Sequence, residues 1–143
     1  MTLRIGIALL GLTLAACASK PNTITLEGTE WRLAQLDGRA VAPGRNGRAA
    51  HLLLQRSSGR ATGSGGCNRF SGGYQLHGDS LEVGPLVATK MACLEGGADE
   101  TAFLATLERV RRWAMHGRQL LLTDTNGTVL LRLEAAGSQV SSR

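Results

Sequence analysis

The sequence lacks an apolar stretch long enough to cross a bilayer as a helix. Its longest apolar run spans residues 5–16 and is interrupted by Gly6 and Gly11, whereas a spanning helix needs about 20 apolar residues. The run is therefore too short for a permanent membrane-spanning anchor. Strands that alternate regularly with helices are also absent, which argues against a parallel-sheet, nucleotide-binding architecture.

No catalytic or metal motif is complete in this chain. The glycine-rich run 63–74 lacks the Gly-Lys-Ser/Thr ending of a phosphate-binding loop. Thr62 stands where a nucleophile elbow has its first glycine. Cys-x-x-Cys and His-x-x-x-His spacings, which would suggest zinc, do not occur. The three histidines are scattered, and nothing places one beside Cys67 as a base. We therefore predict no catalytic residue, no metal ligand and no cofactor.

The amino terminus has the organisation of an export signal. Arg4 precedes the short apolar run, which ends in Leu14-Ala15-Ala16-Cys17, and small residues before a cleavage point are typical of signal peptides. A cysteine directly after the cut resembles the lipobox of bacterial lipoproteins. We expect residues 1–16 to be removed, Cys17 to carry lipid, and residues 17–25 to form a tether. An ordinary cleaved signal with a chance Cys17 is the alternative.

Export decides which partners the charge implies. The formal net charge is +5, and the basic residues are spread along the chain apart from Arg109, Arg111 and Arg112. Outside the cytoplasm this pattern indicates either a solvated surface or contact with anionic lipid headgroups, and we expect no nucleic-acid partner. Ala18 follows Cys17 in place of the Asp that retains lipoproteins at the inner membrane. This favours a periplasm-facing anchor in the outer membrane.

Two cysteines remain once Cys17 is assigned to the lipid. In an oxidising compartment Cys67 and Cys93 are most simply explained as a disulfide. The bridge would close a loop of 25 intervening residues, for which the chain-entropy model gives about 3–4 kcal/mol of stabilisation. An unpaired or redox-active thiol and a metal site remain open as alternatives.

Hydrophobic periodicity predicts an α+β, mainly β, single domain over residues 26–134, followed by a flexible tail over 135–143. Several segments alternate or form short apolar runs that are typical of strands. Segment 98–113 instead places apolar residues at helical spacing, with acidic residues at its start and arginines at its end. We expect a strongly curved antiparallel sheet or partial barrel with this one helix packed on it. The predicted strand segments include Glu30–Leu36, His51–Gln55, 74–76, 81–83, Gln119–Thr123 and 128–133.

Two dipeptides predict tight turns. Asp37-Gly38 follows the first strand, and Asn126-Gly127 separates the last two. Asn-Gly is typical of a type I′ hairpin turn, which requires positive φ at both central residues. The same Asn126-Gly127-Thr128 also matches an N-glycosylation sequon, but the turn is the better interpretation for a bacterial lipoprotein.

Five blocks together resemble the META domain, or HslJ-like, family over about residues 29–133. The Gly-Cys-Asn-x-Phe and Thr-x-Met-Ala-Cys blocks are the most specific of the five. The blocks are Trp31-x-Leu33-x-x-Leu36-x-Gly38; Gly66-Cys67-Asn68-Arg69-Phe70-Ser71-Gly72-x-Tyr74; Leu81-x-Val83-x-Pro85-Leu86; Thr89-Lys90-Met91-Ala92-Cys93; and Glu100-x-x-Phe103-Leu104-x-x-Leu107.

The resemblance implies a compact antiparallel β domain with one helix, often carried on a bacterial lipoprotein. It also implies an association with heat shock, envelope stress and tolerance of the antibiotic novobiocin. The family has no established catalytic residues. The two motif cysteines map to Cys67 and Cys93, which supports their pairing. The remaining motif residues form either an architectural loop or a recognition surface: Gly66, Asn68, Arg69, Phe70, Tyr74, Thr89, Lys90 and Met91.

Three function hypotheses follow. The first is a non-enzymatic envelope lipoprotein that binds a periplasmic protein or an apolar small molecule in its curved sheet. The second is a thiol-dependent oxidoreductase or hydrolase that uses Cys67 or Cys93. The third is an inhibitor or interaction domain for a periplasmic partner. The state of the two thiols discriminates the second from the others.

Overall fold

The computed structural model describes residues 23–42, 48–91 and 97–137, without the side chains of 97 and 98. Cys17, the predicted signal segment and Cys93 lie outside the described residues. Within those ranges the chain forms nine strands and one helix. They are β1 (Glu30–Leu36), β2 (Arg39–Ala40), β3 (His51–Gln55), β4 (Arg60–Ser64), β5 (Arg69–His77), β6 (Ser80–Ala88), α1 (Gly97–Arg109), β7 (Arg112–His116), β8 (Gln119–Thr123) and β9 (Val129–Ala135).

The strands form one antiparallel sheet that curves into a ring. Neighbours follow the order β2-β1-β3-β4-β5-β6-β7-β8-β9, and β1 also pairs with β9. The joint between β6 and β7 is weak, because Ser80 opposite Arg112 is its single register pair. The helix α1 contacts β6 and β9 and covers this side of the ring. The predicted fold class is confirmed: a mainly antiparallel β domain, ring-like but not a barrel, with one packed helix.

Side chains fill the inside of the ring. The alternating pattern of β1 turns Trp31 and Leu33 inward, and both are buried. The Phe70 ring of β5 meets the Phe103 ring of α1 edge to face, with centroids 5.9 Å apart. Phe70 is therefore a core residue, as its architectural interpretation predicts, and Tyr74 packs half-buried at the edge of the same core.

The helix ends earlier than its sequence pattern predicts. Its last residue is Arg109, and the predicted end at Trp113 is wrong because residues from Arg112 form β7. In β7 the half-buried Trp113 and Met115 alternate with exposed neighbours, and the strand pairs fully with β8. Strand pairing across the ring thus outweighs the local helical spacing. Of the predicted basic end, only Arg109 belongs to the last helical turn.

The two predicted turns differ in backbone conformation. Asp37 and Gly38 have φ of 46° and 78°, so this hairpin has the two positive angles of a type I′ turn. At the second turn Gly127 has a φ of 82°, but Asn126 does not have a positive φ, so the type I′ prediction is wrong there. The Asp124 carboxylate accepts the N–H of Asn126 at 2.9 Å. This bond favours a type I turn followed by a left-handed glycine.

Both ends of the described fold are held more tightly than the sequence suggests. Ala135, assigned to the tail, is the buried last residue of β9. Ile24, assigned to the tether, packs against the core. The indole Nε1 of Trp31 donates to the carbonyl of Leu26 at 2.9 Å and ties the entering segment to the ring. Among the described residues, no helix is long and apolar enough to span a membrane.

Candidate functional site

The Gly-Cys-Asn block folds around the carboxylate of Glu100, the fourth residue of α1. One carboxylate oxygen accepts the backbone N–H of Cys67 at 3.1 Å and that of Asn68 at 2.7 Å. The other accepts the side-chain amide of Asn68, also at 2.7 Å. Glu100 is only 8% exposed. These charge-assisted bonds fasten the loop after β4 to the first turn of the helix.

Asn68 connects the same loop to the Thr-Lys-Met block. Its side-chain oxygen accepts the N–H of Met91 at 2.7 Å and the hydroxyl of Thr89 at 3.1 Å. The Thr89 hydroxyl in turn accepts the N–H of Arg69 at 3.2 Å. We call the group formed by Cys67, Asn68, Thr89, Met91 and Glu100 the Asn68–Glu100 network.

Glycines make this network sterically feasible. A Cβ at Gly65 would lie 2.2 Å from Cγ of Glu100. A Cβ at Gly63 would lie 2.0 Å from the backbone oxygen of His51, so β3 and β4 can approach only without it. Gly66 has a φ of 114°, where a side chain would be strained. Gly63 therefore marks a place in the glycine-rich run where another backbone comes close.

The structure brings most of the predicted motif residues together. Gly66, Asn68, Arg69, Thr89 and Met91 lie around the network, whereas Phe70 points into the core and Tyr74 belongs to a separate cluster described below. The sequence analysis quoted Glu100 within a family block but did not single it out as a site residue. The available signal in the sequence was a glutamate at the start of a helix whose other spaced residues are apolar.

Cys67 is disulfide-bonded. Because Cys93 lies outside the described residues, the Cys67–Cys93 pairing stays a prediction. The pairing is consistent with the fold. The backbone of Met91 donates to the side chain of Asn68, and Asn68 directly follows Cys67.

A depression runs across the outer face of five strands, and we call it the outer trough. It comprises two adjoining depressions of about 610 and 570 Å³. Small hydroxyl side chains of β4 and β5 line its middle, since these strands lie between β1 and β3 on one side and β6 on the other. Its lining residues include Glu30, Arg32, Arg48, His51, Leu53, Thr62, Ser64, Arg69, Ser71, Val87, Thr89 and Met91.

A second opening, the ring-end cleft, lies where the amino-terminal segment crosses one end of the ring. Its volume is about 940 Å³. Trp113 and Met115 of β7 line it together with Leu76 of β5, and all three are half-buried. The apolar lining residues are Ile24, Leu26, Leu53, Leu76, Trp113 and Met115, and the polar or charged ones include Glu27, Gln55 and Arg56.

A polar cluster adjoins this cleft. The Tyr74 hydroxyl donates to Glu27 at 2.5 Å, and the Arg56 guanidinium donates to the other carboxylate oxygen at 2.7 Å. Burial, followed by the bond to Glu27, raises the pKa of Tyr74 to about 12. The Tyr74 bond, followed by the Arg56 bond, lowers the pKa of Glu27 below its ordinary value. The cluster therefore holds a neutral phenol beside an anion and a cation.

The residues 24–137 match the family model of the META domain. The chain belongs to the META domain family. This META domain is 35% identical to a protein from Burkholderia xenovorans whose NMR structure is known. The match covers 78% of this chain and 83% of that protein's chain, with a TM-score of 0.62. Comparison with curated proteins gives no match.

Two further solved structures share the fold of this META domain. An NMR structure at 21% identity covers 79% of this chain and 96% of its own, with a TM-score of 0.59. A crystal structure of a DUF4847 family protein from Bacteroides vulgatus covers 74% and 91% at 15% identity, with a TM-score of 0.51. At these identities the likeness concerns the fold alone.

Metal-ligating side chains are dispersed in the described part of this META domain. No three or more His, Cys, Asp and Glu side chains there come close enough to hold a metal ion. The carboxylate that is most buried, Glu100, is surrounded by N–H donors, which suit an anion and repel a cation. Its arrangement serves to hold the loop.

Proposed function

We propose that this META domain is a non-enzymatic binding module of a bacterial envelope lipoprotein, and that its ligand is a small amphipathic molecule held in the ring-end cleft. The observation that carries the proposal is the cleft itself. Its volume of about 940 Å³ and its apolar lining with a few polar groups match the ordinary character of small-molecule sites. The role that fits such a module is accessory, in tolerance of envelope, heat and antibiotic stress.

The Asn68–Glu100 network supports a binding module over an enzyme. Both oxygens of the Glu100 carboxylate and both ends of the Asn68 amide are used in internal hydrogen bonds. Groups engaged in this way hold the loop and have little capacity left for proton transfer or for polarising a substrate. The most distinctive residues of the chain are thus explained by architecture.

The cluster beside the cleft supports an amphipathic ligand. Tyr74 and Arg56 are both fixed on Glu27, so a polar rim is preorganised next to the apolar lining. A ligand could place its apolar body against Trp113 and Met115 and its polar end against Arg56, whose side chain is 84% exposed. Such a division between an apolar body and an oriented head gives selectivity.

The predicted lipid anchor would place the cleft near a membrane. Cys17 precedes Ile24 by seven residues, which span at most about 25 Å when extended. A lipid on Cys17 would keep the cleft within that distance of the bilayer surface. Replacement Cys17→Ser should release the processed protein from membranes, and unchanged membrane association after fractionation would contradict the anchor.

The neutral fluorescent probe N-phenyl-1-naphthylamine tests the cleft. The sample is the processed chain, residues 17–143, with Cys17→Ser; it retains the whole ring because β1 begins at Glu30. We expect enhanced probe fluorescence with the wild-type cleft and its loss with Met115→Glu. Val87→Glu introduces the same charge at a position 68% exposed outside the cleft and should leave probe binding unchanged.

Folding of each variant is checked by its thermal transition. If Met115→Glu lowers stability too far, Trp113→Ala shortens the cleft lining without adding charge and takes its place. Equal probe binding by Met115→Glu and the wild type, or no binding by the wild type, would contradict the cleft as the ligand site.

A further inference from the structure

We propose that the outer trough is a docking surface for an anionic phospholipid bilayer, so that the lipid-anchored domain lies on the membrane through the face built around the family motif. The proposal rests on the proposed function for the anchor alone. The register, the charge and the exposure of its residues define the surface itself.

Strand register assembles the trough from two rows of outward side chains. One row crosses β1, β3, β4 and β5 as Arg32, His51, Ser64 and Arg69, each directly opposite the next. Thr89 extends this row, since its N–H donates to the carbonyl of Arg69 at 2.9 Å. Directly opposite residues on neighbouring strands share one face of a sheet. The two arginines therefore stand on opposite sides of a shallow floor.

The second row lies beside the first and is apolar at one end. It runs from Glu30 through Leu53, Thr62 and Ser71 to Val87. Thr62 and Ser71 continue the low floor, while Val87 stands 68% exposed at its edge. Together the two rows form a broad depression with cationic and apolar groups on its rim.

Charge favours an anionic occupant. Arg32 is paired with Glu30 at 3.3 Å, which leaves the exposed Arg48 and Arg69 as the excess charge of this face. Among the described residues, neither Arg48 nor Arg69 has an ion-pair partner. Guanidinium groups bind phosphate oxygens in bidentate fashion. Phospholipid headgroups supply such oxygens at high density.

The exposed apolar residues favour a bilayer over a soluble anion. Val87 and Met91 are the exposed large hydrophobic residues of the described chain, at 68% and 57%, and both line the trough. A free phosphate would contact only the arginines. A bilayer interface accommodates both kinds of group, with cations at the headgroups and apolar side chains at the acyl boundary.

Chain connectivity keeps this face within reach of the predicted anchor. Glu30 is both a trough residue and the first residue of β1, thirteen positions after Cys17. A lipid anchor and a basic surface together provide the two signals that stable, oriented membrane attachment requires. The domain would then lie with its trough against the headgroups.

Vesicle co-sedimentation tests the docking surface without the anchor. The processed chain with Cys17→Ser is mixed with vesicles of phosphatidylglycerol and phosphatidylcholine, or of phosphatidylcholine alone. We expect binding to the anionic vesicles that weakens as salt is added. Each arginine near an anionic surface contributes about a fivefold change in the partition constant, so Arg48→Gln with Arg69→Gln should lower it roughly 25-fold.

The matched control removes the same charge elsewhere. Arg109→Gln with Arg112→Gln alters the opposite end of β6, where Arg112 lies opposite Ser80, and should leave most of the binding intact. Val87→Ser with Met91→Ser should weaken binding without changing its salt dependence. Free phosphate should lower vesicle binding no more than chloride does at the same ionic strength.

Four outcomes would overturn the docking surface. The first three are equal loss of binding in the trough and control variants, equal binding to neutral and anionic vesicles, and no binding of the wild type to either. Competition by free phosphate alone would assign the trough to a soluble anion instead and also overturn it. None of these results affects the naphthylamine assay, so failure of the docking surface and failure of the proposed ligand cleft are separately visible.

Discussion

Glu100 and Glu27 are both largely covered carboxylates, but they hold different kinds of partner. Glu100 accepts two backbone N–H groups and the amide of Asn68. Glu27, whose side chain is 14% exposed, accepts the hydroxyl of Tyr74 and the guanidinium of Arg56. Loss of Glu100 leaves buried donors without an acceptor, whereas the partners of Glu27 can turn to water. The carboxylate in the motif region thus holds backbone groups, whereas the carboxylate beside the cleft holds the polar ends of two side chains.

This difference separates architecture from binding. A loop whose main chain is fastened to a helix has one conformation, and its side chains present a fixed surface such as the outer trough. A rim made of side-chain tips can adjust to a ligand and still be preorganised in its absence. The two regions should therefore respond differently to substitution.

The largest effect is expected from Glu100→Ala. It leaves the N–H groups of Cys67 and Asn68 without their acceptor and removes one of the acceptors of the Asn68 amide. Each unsatisfied buried donor costs about 1–3 kcal/mol. We expect the free energy of unfolding in urea to fall by about 4 kcal/mol. Glu27→Ala is the matched control and should lower stability far less. Equal losses in the two variants would remove the distinction between the regions.

The predicted disulfide comes next. Cys67→Ala should lower the free energy of unfolding by about 3–4 kcal/mol under oxidising conditions, from the length of the loop to Cys93. Reductant should bring the wild type to the level of the variant. Mass spectrometry after alkylation of the unreduced protein should detect no free thiol. Two alkylated thiols, or a melting temperature equal to that of the wild type, would instead favour the thiol-enzyme hypothesis.

Gly65→Ala tests the packing of the network by steric means. The new Cβ would meet Cγ of Glu100 at 2.2 Å, and overpacking of this kind costs about 1–3 kcal/mol. Gly73→Ala is the control, because its Cβ would have no atom within 4 Å. The free energy of unfolding from chemical denaturation should therefore be lower for Gly65→Ala than for Gly73→Ala, although both replace glycine by alanine. Similar stability of the two would show that the loop can shift.

The cleft region is tested by titration of Tyr74, the single tyrosine of the chain. Its phenolate absorbance should appear with a midpoint near the pKa of about 12. Since this pKa is raised, the contribution to stability is fully present below the ordinary tyrosine value of about 10 and is lost as pH rises through the folded value. Glu27→Gln should lower the midpoint while leaving it raised, because burial is the larger cause. An ordinary midpoint in the wild type would contradict the cluster.

The smallest effect is expected from Arg56→Gln. The Arg56 side chain is 84% exposed, and exposed ion pairs contribute little to stability. The melting temperature should stay that of the wild type, while the pKa of Glu27 should move up toward its ordinary value of 4.5. Because that pKa is lowered in the fold, its contribution is present above the ordinary value and lost as pH falls through the folded one. A large fall in melting temperature would place Arg56 among the structural residues.

Local patterns predicted the strands well. The bounds of β1, β3 and β8 agree with the segments expected from alternation and short apolar runs. The end of α1 and the existence of β7 were not predictable in the same way. Residues 112–116 form a strand because they pair with β8. The sequence does not show this, because the helical spacing of Phe103, Leu107 and Val110 continues to Trp113 without a break.

The candidate sites were predictable in part. The family resemblance identified Asn68, Thr89 and Met91 as motif residues, but not that Glu100 organises them. Asn68 and Glu100 are 32 positions apart, and Tyr74 and Glu27 are 47 apart. Hydrogen bonds over such separations leave no periodic trace in a sequence, so neither the network nor the cleft was visible from it.

The sequence by itself determined the alternation of the strands, the position of the helix start and the family to which the chain belongs, because each depends on neighbouring residues or on a short motif. Only the tertiary structure decided where the helix stops, which carboxylate holds the motif, and where the trough and the cleft open. Those features arise when closure of the ring brings distant segments together, and contacts between distant segments are properties of the closed sheet.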